Sequence, residues 1–133
     1  MKTITDLKVL IVDDSSYMHT FIGTILKREG IKHLYHAMNG EEGINIFNEV
    51  QPDVVFLDNI MPKTSGLEVL EIIRKSNKES KIIMTSSITS TRSIELSKEL
   101  GANYYLVKPF IPDMIRTIFS RFFPNNVLVP API

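Results

Sequence analysis

The sequence predicts an α/β domain: a doubly wound, five-stranded parallel sheet of order 2-1-3-4-5 with helices on both faces. Three observations predict it. Five short apolar or β-branched runs alternate with five helical patterns along most of the chain, and strict alternation implies right-handed crossovers between parallel strands. The run at 53–57 (DVVFL) is apolar throughout after its first residue, as a central strand covered on both faces requires. Acidic, hydroxyl and amine side chains cluster where four of the five runs end, the edge of the sheet at which such folds gather their functional groups.

Taken in order, Lys8–Val12 (KVLIV) reads as a buried strand that stops at Asp13-Asp14. Met18, Phe21, Ile22, Ile25 and Leu26 then follow the spacing of an amphipathic helix, with Ser15 or Ser16 as its cap and Gly30 as its end. Lys32–Ala37 (KHLYHA) is the least apolar strand, which suits a sheet edge. Asn39-Gly40 turns into a helix carrying Ile44, Phe47 and Val50, and Pro52 breaks it. Asp53–Leu57 is the third strand. A third helix starts near Gly66 and packs through Leu67, Leu70 and Ile73. Lys81–Thr85 (KIIMT) is strand four. The helix over Thr91–Leu100 is weakly amphipathic, with Ile94 and Leu100 as its anchors, and Gly101 ends it. Asn103–Val107 (NYYLV) is strand five. The last helix, Pro112–Phe123, presents Met114, Ile115, Ile118, Phe119 and Phe122 on one face.

With 133 residues, 44% of them hydrophobic, the chain can bury one core without covalent staples. Residues 1–123 are expected to form the domain, and 124–133 (PNNVLVPAPI) an apolar, proline-containing tail too short to fold alone. Fifteen basic residues balance fifteen acidic ones, so nothing draws the chain generally to nucleic acid or anionic membrane. The absence of cysteine excludes disulfides, thiolate metal sites and cysteine nucleophiles. No signal peptide or membrane-spanning run is present, and a cytoplasmic location is expected. His19, His33 and His36 lack metal-like spacing with carboxylates and are assigned surface or packing roles.

Strand one ends in Asp13-Asp14, strand three in Asp58, strand four in Thr85-Ser86-Ser87, and strand five in Lys108-Pro109. The predicted topology brings three carboxylates, a hydroxyl and an ammonium around one pocket. Carboxylates so placed repel unless one protonates or a cation joins them. Hard oxygen ligands at an open, hydrated site favour Mg²⁺. Asp58 is then the nucleophile of an aspartyl phosphate, with the cation and Lys108 balancing the incoming phosphoryl charge. Asp-Asp after a strand is often a helix cap and Lys-Pro often a turn, but four such features at four strand tips exceed what capping explains.

The segments VLIVDDSSYM, DVVFLDNIMPKTSG, IIMTSS and GANYYLVKPF strongly resemble the response-regulator receiver domains of two-component signalling, over residues 6–123. The resemblance implies a flavodoxin-like fold and assigns roles. Asp14 binds Mg²⁺ directly, Asp13 through water or as an assistant, and Asp58 is the phosphoacceptor. The backbone carbonyl of Ile60 completes the metal ligands. Ser86 matches the switch hydroxyl, Tyr105 its coupled aromatic, and Lys108 the ammonium that pairs with phosphate. Ser87 stands where alanine is common and keeps the approach open. The Lys108–Pro109 bond is expected to be cis. Ile60 and Ile88 flank the path of hydrolytic water in this family, and two isoleucines imply slow self-dephosphorylation.

The implied function is a phosphorylation-dependent switch, fed by a histidine kinase or histidine phosphotransfer protein. It is read by a downstream protein through helix four, strand five and helix five, with dimerisation on phosphorylation left open. A phosphorelay intermediate or phosphate sink is the near alternative, and a phosphorylation-independent docking module a further one. An aspartyl-phosphate hydrolase would need a second acid two residues after Asp58, where Ile60 stands. Dinucleotide binding would need a glycine-rich turn after strand one, where Asp13-Asp14 stands. The chain is therefore expected to accept phosphate without turning over an external substrate. The tail is a linker, a folded-back strip or a docking segment.

Overall fold

The computed structural model describes residues 3–124; the expectations for the tail lie outside them except at Pro124. A single 3-10 turn, Ile4–Asp6, precedes β1 (Lys8–Val12), α1 (Ser16–Arg28), β2 (His33–Ala37), α2 (Gly40–Val50) and β3 (Val54–Asp58). Then follow α3 (Gly66–Arg74), β4 (Lys81–Ser86), α4 (Thr91–Glu99), β5 (Tyr104–Val107) and α5 (Pro112–Phe122). All strand pairs are parallel, in the order β2-β1-β3-β4-β5. The predicted architecture is the observed one.

The period-two alternation of the strands divides the core between two helical layers. Val9, Ile11, Val54, Phe56, Ile83 and Leu106 face α1 and α5, meeting Ile22, Leu26, Ile115, Ile118 and Phe119. Leu10, Val12, Val55, Leu57, Ile82 and Met84 face the other way, onto Phe47, Val69, Leu70 and Ile73. Every residue of β3 is buried, whereas β2 buries only Ala37. That contrast matches a central and an edge strand.

Boundaries differ from the sequence reading where a side chain replaces a ladder bond. Asp53 lies just before β3, where its carboxylate accepts the Lys8 N–H at 2.8 Å and its own N–H donates to the Lys8 carbonyl. Asp58 enters β3 instead, in register with Thr85. Asn103 precedes β5 because its Oδ1 accepts from the Ile82 N–H and from Arg74. Ser15, not Ser16, caps α1, and Gly30, at a φ of 96°, turns the chain after it.

Two helices depart from their expected faces. In α4 the buried residue is Ser97, with its hydroxyl bonded to the Ser93 carbonyl, while Ile94 and Leu100 are half-buried and Leu96 is exposed. On α5 Ile115, Ile118 and Phe119 are buried but Met114 is exposed. Arg74 closes α3 by donating to the carbonyls of Gly101, Asn77 and Ser80 and to Asn103 Oδ1. Its guanidinium thus ties the end of α3 to the start of β4 and to the turn between α4 and β5.

Candidate functional site

β1 and β3 are neighbours, so Asp13 and Asp58 leave the sheet side by side. Asp14 follows Asp13 on the exposed side of the turn. One carboxylate oxygen from each of Asp13, Asp14 and Asp58 lies within 4.8 Å of the others. Lys108, beyond the end of β5, reaches back with its ammonium 3.1 Å from Asp13 Oδ2 and 3.4 Å from Asp58 Oδ1. The peptide bond between Lys108 and Pro109 is cis.

Asp13 is held on every side. Its N–H donates to the Ala37 carbonyl, and its Oδ1 accepts the Ser15 N–H at 2.9 Å. Asp58 Oδ1 accepts from the Ile60 N–H at 3.3 Å. Burial, and secondarily the negative charge of Asp13, push the Asp58 carboxyl up to about 6, against the opposing pull of Lys108 and the Ile60 N–H. Three carboxylates facing one ammonium leave the pocket short of positive charge, and all three offer hard oxygen. This donor set fits Mg²⁺. The Ile60 side chain is exposed, so a carbonyl role leaves that side chain unconstrained.

Gly66 lets α3 begin directly beneath this pocket. Its N–H donates to the Asn59 carbonyl, and a Cβ there would collide with the Asp58 carbonyl oxygen. Only glycine permits that approach.

Ser86 closes β4, one residue after the Thr85 that pairs with Asp58, and Tyr105 lies on the neighbouring β5. Ser86 is buried, and its hydroxyl accepts the Ile88 N–H at 3.0 Å. Tyr105, on β5, donates its hydroxyl to the Ile88 carbonyl at 2.7 Å. Thr85 is the residue in register with Asp58, yet its buried hydroxyl has no hydrogen-bond partner among the described residues. Ser87 is exposed. The structure therefore gathers Asp13, Asp14, Asp58 and Lys108 into one cluster, and links Ser86 to Tyr105 through Ile88.

His19 fills the packing role expected of it, and in addition touches the site, which the sequence does not reveal. It is buried, with Nε2 2.8 Å from the Asp13 carbonyl oxygen and Nδ1 2.8 Å from His36 Nδ1. The signal for its burial was its position three residues before Ile22, on the buried face of α1. His33, by contrast, is exposed on β2 as expected. No described helix is long and apolar enough to cross a membrane.

The sequence pattern of the response regulator receiver domain matches residues 9–120. The chain is 38% identical over 109 residues to the chemotaxis protein CheY of Listeria monocytogenes, covering 82% of this chain and 92% of that one. It is 31% identical over 117 residues to the sporulation initiation phosphotransferase F of Bacillus subtilis, covering 88% and 94%. Among solved structures, the CheX–CheY–BeF3–Mg²⁺ complex from Borrelia burgdorferi superposes with a TM-score of 0.82 at 29% identity, covering 87% of this chain and 89% of the matched one. The match spans most of the chain, its strand order and all four strand tips, and on it the chain belongs to the response regulator receiver domains of two-component signalling.

Proposed function

We propose that the protein is a phosphorylation-dependent signalling switch that takes a phosphoryl group onto Asp58 from a phosphohistidine donor. The observation that carries the reading is the acidic cluster, closed on one side by Lys108. A carboxylate oxygen of Asp58 attacks phosphorus in line as the phosphorus–nitrogen bond of the donor breaks, and the departing imidazole nitrogen keeps the bonding pair. Mg²⁺, held by Asp13, Asp14, Asp58 and the Ile60 carbonyl, would supply charge neutralisation at the transferring oxygens. Lys108 already contacts Asp58 and is placed to pair with the phosphoryl group. Ser86 turns its hydroxyl toward that group by exchanging its bond from the Ile88 N–H. Tyr105 is the residue linked to that exchange.

Asp58 then carries the phosphate as a signal, and the protein is a phosphoacceptor with at most slow self-dephosphorylation. A histidine kinase or histidine phosphotransfer protein supplies the phosphoryl group. The exposed side chains of Tyr17, which shares a cavity with Lys108, and of Ile60, two residues after Asp58, give such a donor apolar footing. A downstream protein reads α4, β5 and α5, where α4 buries only Ser97 among its residues and is shallowly seated. The phosphotransferase name of the Bacillus subtilis relative favours a second reading, in which Asp58 passes its phosphate onward as a relay intermediate. The Borrelia complex carries Mg²⁺ and BeF3 on a chemotaxis protein, which supports the metal assignment. The protein works in the cytoplasm, where such donors are made, and residues 1–123 form the receiver domain.

The test is intact mass after incubation with phosphoramidate or acetyl phosphate and Mg²⁺. A single phosphoryl adduct is expected on the wild type, dependent on Mg²⁺ and absent from Asp58→Ala. An adduct that persists in the variant, or none on the wild type, overturns the reading.

A further inference from the structure

β1 ends at Val12, so the sheet no longer dictates the backbone of Asp13. One of its peptide groups is still held from β2, through the bond from its N–H to the Ala37 carbonyl. Among the described residues its carbonyl has no strand partner. His19, in the first turn of α1, reaches back to supply one, with Nε2 2.8 Å from that oxygen.

A carbonyl oxygen can only accept, so His19 Nε2 carries the proton and a neutral His19 presents a bare lone pair at Nδ1. His36 Nδ1 lies 2.8 Å from that lone pair and must therefore be the donor. The two rings are 4.9 Å apart and tilted by 54°. The chain of donors runs in one direction, from His36 to His19 to the Asp13 carbonyl. A ring held by one hydrogen bond is fixed in orientation by the other, as with the outer partners of ligating histidines. Both peptide groups flanking the Asp13 Cα are thereby pinned, and with them the direction in which its carboxylate leaves the chain.

We propose that His19 and His36 are positioning residues for the phosphorylation site: they hold Asp13, and the turn that carries Asp14, in the geometry that receives the divalent cation. This rests on the proposed phosphoacceptor reading. His36 contributes from the sheet edge, so a strand that supplies no carboxylate to the cluster helps set the aim of the carboxylates. Displacements of about 1 Å at a charged site carry large costs, and removal of outer-shell partners lowers metal affinity by about 10–100-fold.

The experiment measures the Mg²⁺ dissociation constant by calorimetry at pH 8. It compares wild type, His19→Leu, His36→Leu, the double variant and His19→Gln, with urea stability determined on the same samples. Gln keeps a donor near the Nε2 position and an acceptor for His36. His19→Leu is expected to weaken Mg²⁺ binding about tenfold, His36→Leu less, and the double variant no more than His19→Leu alone. His19→Gln is expected to restore most of the affinity. A role confined to packing would lower stability and leave the dissociation constant unmoved. Wild-type affinity in a folded His19→Leu, or equal weakening by Gln and Leu, overturns the proposal. If His19→Leu does not fold, His36→Leu decides it by the same criterion. A wild type that binds no Mg²⁺ overturns the function reading and this one together, whereas wild-type binding with indifferent variants overturns only this one.

Discussion

Ser86 and Tyr105 grip the two ends of one residue: Ile88 gives its N–H to the serine hydroxyl and its carbonyl to the tyrosine hydroxyl. The serine lies at the carboxyl end of β4 and the tyrosine on the outermost strand. A serine that turns toward a phosphoryl group releases the Ile88 N–H, and the peptide it releases belongs to the loop that leads into α4. The tyrosine is then attached to whatever position that loop adopts.

This link predicts coupling between the two side chains. Tyr105→Phe removes one partly buried hydrogen bond and is expected to cost about 1 kcal/mol in urea denaturation. Ser86→Ala removes the other. Because both act through Ile88, the double variant is expected to deviate from additivity by about 0.5 kcal/mol or more. Strict additivity would show that the loop does not transmit between them.

The raised Asp58 carboxyl predicts a pH-dependent gain from its removal. In the folded chain this group titrates at about 6, above its ordinary 3.8. The folded state therefore binds the proton more tightly than the unfolded state. Stability is lost as pH rises between these values, and the loss is complete above them. In Mg²⁺-free buffer at pH 7.5, Asp58→Asn is expected to be more stable than wild type by about 1–2 kcal/mol, after discounting for solvent at the open mouth. Denaturation curves at pH 7.5 and pH 4 check the sign: the advantage should shrink at the lower pH, and Mg²⁺ should shrink it at the higher one.

Gly66 predicts a site that fails without the protein unfolding. A methyl group there meets the Asp58 carbonyl, so the β3–α3 loop must move for Ala to fit. Gly66→Ala is expected to lower stability by about 1–3 kcal/mol. It should lose phosphoryl uptake in the mass assay while keeping a native far-ultraviolet dichroism spectrum. Uptake at the wild-type rate would show that the loop yields at no cost to the site.

The two isoleucines predict a long-lived phosphate. Ile60 is exposed and Ile88 is half-buried, and neither side chain can orient a water molecule. Ile60→Asn and Ile88→Glu are expected to hasten decay of the phosphorylated form, on the order of tenfold for the pair, by placing polar groups near the water's approach. Decay of the mass adduct over time measures this, and unchanged rates in both variants would remove these positions from the account of signal lifetime.

Much of this was legible because the informative residues are local. Alternating runs define strands, and the abrupt change from Val12 to Asp13 or from Leu57 to Asp58 marks where each strand ends. Once the order 2-1-3-4-5 is granted, the clustering of Asp13, Asp14, Asp58 and Lys108 at the strand ends follows from it. What escaped were contacts that depend on three-dimensional reach. Nothing in the spacing announces that Asp53 will take the Lys8 N–H, or that Asn103 will serve both Ile82 and Arg74. The faces of α4 and α5 were drawn too wide because helical spacing places Met114 and Ile94 toward the sheet without saying how far the sheet extends. His19 and His36 were separated by 17 residues and read singly, so their meeting was invisible.

Arg74 adds a mechanical consequence. By clasping the turn that follows α4, it pins the carboxyl end of that helix to the frame of the domain. The amino end is capped from within by Ser90, which accepts the Ser93 N–H, and adjoins the loop that Ser86 and Tyr105 share. The helix is thus a lever with its pivot at Gly101, and any displacement grows with distance from that point. On the proposed function, a movement of one peptide at Ile88 would reach the amino end first, and the surface of α4 would change most near Thr91 and least near Glu99.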